Sequence, residues 1–165
     1  MKAIEPSPQQ PSAGLAIGEP VGDLSAESTA GRFSLSDHRG APVVIYFYPK
    51  DDTPGCTTEG AAFRDLHDAF RKTGATIVGV SRDSMRSHHS FKAKMAFPFE
   101  LVSDADEALC RRFDVIRNKK MYGKDVRGID RSTFVIDRNG RLAKAWRGVT
   151  VPGHADEVLA FVKTL

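Results

Sequence analysis

Pro42-Val43-Val44-Ile45-Tyr46-Phe47-Tyr48-Pro49-Lys50-Asp51-Asp52-Thr53-Pro54-Gly55-Cys56 is the stretch on which the reading of the chain turns. Val43 to Tyr48 are β-branched or aromatic without exception and stand between two prolines. A short run of that kind, with no polar face, reads as a strand buried on both sides. The residues after it form a polar turn that ends on a cysteine. Thr53 is placed to cap a helix, and Pro54 suits the first helical position, where its missing N–H would be unsatisfied anyway. Phe63, Leu66 and Phe70 recur at helical spacing beside Ala62 and Ala69, and Arg71, Lys72 and Gly74 make a suitable helix end. Cys56 therefore falls in the first turn of a predicted helix. Free N–H groups and the positive end of the helix dipole there favour a thiolate, and hence a nucleophile. The competing reading is a small buried hydrophobe. The polar approach from Lys50 to Gly55 argues against full burial.

Working outward, Ala75-Thr76-Ile77-Val78-Gly79-Val80-Ser81 is a second strand, which makes a βαβ unit with a right-handed crossover and parallel strands. Asp83 or Ser84 caps a helix to about Met95, with Phe91 and Met95 turned inward and His88 beside them, and Pro98 breaks it. His88-His89 resembles a metal pair only by composition, since neighbours on a helix point about 100° apart and no third ligand stands nearby in sequence. Phe99 to Val102 reads as a brief strand. Ser103 or Asp104 caps a helix from Ala105 to Phe113, on which Cys110 lies next to the Leu109–Phe113 core pair. Asn118 to Asp130 reads as a long polar loop. Arg131 to Asp137 and Leu142 to Trp146 form a hairpin around Asn139-Gly140, and a closing helix carries Val158, Leu159 and Val162. On the N-terminal side, Phe33 and Leu35 share a face of a weak strand, and His38 falls in an exposed turn. Residues 1–16, rich in proline, read as a flexible arm that Leu15 and Ile17 can pin to a domain over 17–165. The sum is one α/β domain, a central mixed β-sheet flanked by helices.

Composition narrows the function. A chain of 165 residues, 41% hydrophobic and 27% charged, builds a core without a metal or a disulfide framework. Two cysteines, Cys56 and Cys110, are no secreted disulfide pattern. No apolar run is long enough to span a membrane, and Met1 to Gln10 lack the apolar core of a signal peptide, so a cytoplasmic setting is expected. The charge of +3 is mild, and Arg111-Arg112 and Lys119-Lys120 are short basic pairs, which argues against nucleic acid binding.

The segment Pro49-Lys50-Asp51-Asp52-Thr53-Pro54-Gly55-Cys56-Thr57-Thr58-Glu59 resembles the active-site signature of the peroxiredoxins, in particular the bacterioferritin comigratory protein or PrxQ branch. Lys120-Met121-Tyr122-Gly123, Arg131 to Asp137 and Gly153 to Leu159 continue the likeness over nearly the whole chain. The resemblance implies a thioredoxin-like fold and a thiol peroxidase that needs no cofactor and acts on hydrogen peroxide and organic hydroperoxides. It implies Cys56 as peroxidatic nucleophile, Thr53 and Arg131 as its supporting groups and Pro49 as the residue shielding the pocket. Glu59, one turn along, is expected to order the site electrostatically, the alternative being an ordinary first-turn acid that favours the helix dipole. Thioredoxin or a similar thiol is the implied reductant, and a monomer is expected.

One departure matters. Many members of this branch carry a resolving cysteine five residues after the peroxidatic one, here Ala61, and others carry it in the next helix, here around His88 to Lys92. Neither place holds a cysteine. Two schemes follow: direct reduction of a Cys56 sulfenic acid by an external thiol, or resolution by Cys110. A redox sensor that passes its oxidation to a partner, and an inert module of the same fold, are the rival classes.

Overall fold

The computed structural model describes residues 14–165. Its strands are β1 (Ser25–Ser28), β2 (Gly31–Ser34), β3 (Val43–Phe47), β4 (Thr76–Ser81), β5 (Glu100–Ser103), β6 (Ile116–Met121), β7 (Lys124–Ile129), β8 (Ser132–Ile136) and β9 (Leu142–Arg147). Its helices are α1 (Pro54–Asp65), α2 (His67–Lys72), α3 (Met85–Met95), α4 (Ala108–Phe113) and α5 (His154–Val162). Seven strands form one sheet in the order β2-β1-β5-β4-β3-β8-β9. β3, β4 and β5 run parallel, and β8 returns antiparallel to β3 with Phe47 opposite Ser132. This is the mixed, helix-flanked sheet of a thioredoxin-like fold.

β3 lies inside the sheet between β4 and β8, and every residue in it is buried, as a run without a polar face requires. Its pleat divides the core. Val43, Ile45 and Phe47 face one cluster, which α4 completes with Leu109, Cys110 and Phe113. Val44 and Tyr46, continued by Tyr48, face a second cluster with Phe63 of α1, Phe70 of α2, Phe91 of α3 and Val158 of α5. Phe47, Phe113 and Phe134 pack as a triad with centroid separations of 4.7 to 5.7 Å. Each such ring contributes roughly 1.5–3 kcal/mol by burial.

Several sequence expectations need correction. Asn118 to Asp130 is no loop: most of it belongs to the two-stranded ribbon of β6 and β7. Tyr122 and Gly123, both at positive φ (52° and 79°), make its two-residue turn. The ribbon is a sheet of its own; Ile116 and Ile129 at its base join the first core cluster, and the described residues beyond them are mostly polar, so it leaves no alternating apolar signal. The helix predicted to run on past Phe70 is broken at Leu66, whose ψ of 5° separates α1 from α2. Thr53 is the N-cap residue of α1, but its side chain makes no capping bond. α3 stops before Pro98, where Ala96 turns left-handed at φ 54°. α4 begins at Ala108, later than expected, and Asp104 reaches its first turn by accepting from the Leu109 and Cys110 amides at 3.0 and 2.8 Å. His38 is half-buried and stacked on Phe33, with ring centroids 5.2 Å apart. Leu15 is buried as expected, while Ile17 is exposed. The expected arm lies, up to residue 13, outside the described residues. No helix among the described residues is long and apolar enough to cross a membrane.

Candidate active site

The parallel strands β3 and β4 end side by side, and the turn from Tyr48 to Thr53 leaves that end to start α1. Pro54 at the first position fixes the helix start, and this puts Cys56 in the first turn. Contrary to the sequence expectation, Cys56 is buried, with 2% of its surface exposed. Its cover comes from tertiary neighbours of the second core cluster, which the polar approach could not reveal.

A polar neighbour outside that cluster comes from far away in sequence. Arg131 enters β8 at the edge where β3 ends, and its Nη2 lies 3.5 Å from the Cys56 sulfur. Its Nη1 donates to Glu59 Oε1 at 2.6 Å. Burial works against the guanidinium charge, but Glu59 and Cys56 more than offset it and raise the Arg131 pKa. Glu59, one turn after Cys56, is almost wholly buried. Burial pushes its pKa up to about 7 against the opposing pull of Arg131, and its Oε2 has no hydrogen-bond partner. A carboxyl so placed changes charge near neutral pH. The sulfur is therefore bordered by a fixed cation that is itself paired with a titrating acid.

The other sequence candidates divide. The Thr53 hydroxyl donates to the Lys50 carbonyl at 2.8 Å, so its lone pairs remain available as acceptors. Pro49 is exposed at the entrance to the turn. Cys110 lies elsewhere: it is fully buried in the first core cluster, with the central sheet between it and the cluster holding Cys56. Burial pushes its thiol pKa strongly up, with Asp104 adding to the effect, so Cys110 stays a thiol.

Sequence reading missed three residues here. A Cβ on Gly55 would sit 3.0 Å from Arg131 Nη2, so only glycine lets the guanidinium approach this helix start undisturbed. Tyr46, read as strand core, is buried with its hydroxyl unpartnered; burial, then the charges of Glu59 and Cys56, hold its pKa far above normal, so it stays protonated. Asp51, read as part of a polar turn, is buried too: it accepts from Tyr48 Oη at 2.6 Å, Ser87 Oγ at 2.7 Å and His88 Nδ1 at 2.7 Å. Asp51, Asp83 and His88 also bring ligand-type atoms within 4.8 Å of one another, but those atoms are engaged in hydrogen bonds among themselves and with Tyr48, Ser81, Ser87 and Val102.

A parallel-strand end, a helix N-terminus and a cysteine beside an arginine define a redox-active thiol site on a thioredoxin-like fold. Comparison with known proteins gives the same class. Residues 17–145 match the AhpC/TSA family model. Peroxiredoxin Bcp of Xanthomonas campestris is 61% identical over 142 residues, covering 86% of this chain and 89% of that protein. Peroxiredoxin Bcp of Bacillus subtilis is 47% identical over 152 residues, covering 92% and 97%. A solved structure of the X. campestris bacterioferritin comigratory protein, studied for its alkyl peroxide reduction activity, superposes with a TM-score of 0.81 at 56% identity, covering 86% of this chain and 90% of that one. The chain belongs to the AhpC/TSA family and is a thiol-dependent peroxidase. Within that family it is a peroxiredoxin of the Bcp/PrxQ branch, and its two cysteines leave out the usual resolving one.

Proposed function

We propose that Cys56 is the peroxidatic nucleophile and that this chain works with one catalytic cysteine. The observation that carries this reading is the Arg131 guanidinium 3.5 Å from a sulfur in the first turn of α1. The Cys56 thiolate attacks one oxygen of a hydroperoxide, the O–O bond breaks, and the leaving oxygen departs with the electron pair, taking a proton to become water or an alcohol. Cys56 is left as sulfenic acid. Arg131 steadies the thiolate and the charge growing on the leaving oxygen. The Thr53 hydroxyl orients the peroxide as acceptor, the Cys56 amide adds a donor, and Pro49 limits access of water. Glu59 anchors Arg131. Hydrogen peroxide is the smallest substrate, and the activity studied in the X. campestris relative supports alkyl hydroperoxides as a second class.

An external thiol then forms a mixed disulfide with Cys56, releasing water, and a further thiol exchange restores Cys56. A thioredoxin-like protein in a reducing cytoplasm fits this step, and the protein acts as a monomer. Cys110 takes no part: a disulfide needs Cα atoms within about 7 Å, and the sheet stands between the two cysteines.

The test is intact mass after one equivalent of peroxide added to the reduced protein, with and without a sulfenic-acid trap. A single added oxygen, trapped on Cys56 and reversed by thiol over repeated cycles, is expected. A loss of two hydrogens through Cys110 would replace the scheme, and one oxidation without cycling would favour the sensor.

A further inference from the structure

His88 of α3 has no surface exposed and no part in the chemistry above, yet it is tied to the turn that carries the site. Its Nδ1 lies 2.7 Å from Asp51 Oδ2 and its Nε2 lies 2.9 Å from the Val102 carbonyl oxygen. A backbone carbonyl only accepts, and so does an ionised carboxylate. Asp51 is ionised: burial raises its pKa, but the hydrogen bonds from His88 and Tyr48 prevail and lower it. Both imidazole nitrogens therefore face acceptors, and the His88 ring is sealed beneath the turn. Ser87 adds a donor to the same carboxylate oxygen at 2.7 Å. Asp83, at the start of α3, accepts from the Asp51 amide at 2.9 Å, and Lys94 holds the neighbouring Asp52 at 2.8 Å. The turn from Pro49 to Thr53 is thus fastened to α3 and its leading loop at four points, of which His88–Asp51 is the most deeply buried.

We infer that His88 is a positioning residue for the peroxidase reaction: as an imidazolium it fixes Asp51, and through Asp51 it holds Pro49 and Thr53 in register with the Cys56 sulfur. This inference rests on the reading of Cys56 and Thr53 given above. A buried ion pair is a poor source of net stability, because desolvation cancels much of its attraction. Its value lies in a single geometry, and reactions of held partners lose rate steeply when one of them shifts by about an ångström.

The test separates positioning from folding. Oxidation of Cys56 by peroxide needs the turn, whereas alkylation of Cys56 by iodoacetamide needs only the sulfur. In His88→Gln the peroxide rate constant is expected to fall about tenfold or more while the alkylation rate stays within about threefold. Ser87→Ala, which leaves the ion pair in place, gives a smaller fall in the same ratio and serves if His88→Gln does not fold. A lower melting temperature with the ratio unchanged in the variants that fold overturns the inference. Nitrogen-15 NMR of the wild-type imidazole side chain is expected to show both ring nitrogens of His88 protonated, and one bare nitrogen also overturns it. If peroxide does not oxidise Cys56 in the wild type, the functional reading fails as well, and the NMR result then reports an ion pair that serves folding alone.

Discussion

Arg131→Gln tests the electrostatics of the site through two separate readouts. The first is rate. A guanidinium 3.5 Å from a thiolate is worth about 5 kcal/mol at an effective dielectric constant near 20. In the proposed reaction the attacking thiolate carries its charge before the transition state, so only the part of this interaction that grows there affects the rate. Losing one preorganised donor of this type costs about 10²- to 10³-fold, and that is the expected fall in peroxide oxidation of Cys56, measured by quenched flow and intact mass. The second readout is stability against pH. In the wild type the folded Glu59 carboxyl ionises near 7, while in the unfolded chain it ionises near the ordinary glutamate value of 4.5. The unfolded state is therefore the less protonated one between those values, so wild-type stability falls across that window and levels off above it. Without Arg131 the pull that keeps the Glu59 pKa from rising further is gone, the folded carboxyl stays protonated above pH 7, and stability goes on falling. The gap between variant and wild type is expected to be small below pH 7 and to widen by about 1.4 kcal/mol per pH unit above it. Urea unfolding at several pH values measures it. A peroxide rate within about threefold of wild type, or a gap that does not change with pH, refutes the reasoning.

Three further outcomes are expected. Glu59→Gln removes the buried titrating carboxyl, so the fall in stability between about pH 4.5 and 7 flattens; an unchanged slope in urea unfolding places that titration elsewhere. Gly60→Ala puts a Cβ 2.5 Å from Phe97 Cζ, and Phe97 cannot yield easily because it stacks on Phe99 and meets Phe91 edge-on, with centroids 4.9 and 5.1 Å away. The expected cost is about 1–3 kcal/mol, seen as a lower urea midpoint at constant slope, and an unshifted midpoint contradicts it. Cys110→Ala leaves peroxide turnover with an external thiol within about twofold of wild type; a folded variant that stops cycling restores Cys110 as the resolving cysteine.

The sequence by itself determined the frame and the chemistry. The all-apolar run of β3, the Thr53-Pro54 helix start and the Asn139-Gly140 turn are local signals, each set by neighbouring residues, and they place Cys56 at a helix N-terminus without any knowledge of packing. The ribbon of β6 and β7 escaped because a strand pair that is mostly polar beyond its base at Ile116 and Ile129 writes no period into its residues. The environment of the thiol was decided only by the tertiary structure. Asp51 and Lys50 are adjacent and equally polar, yet one is buried and the other exposed, because Tyr48, Ser87 and His88 converge on one of them alone. The burial of Cys56, the approach of Arg131 past Gly55 and the separation of Cys110 by the sheet all depend on residues far apart in the chain. The pleat of β3 sorts its neighbours onto two faces, and which helix lands on which face follows from how the strands cross over and pair.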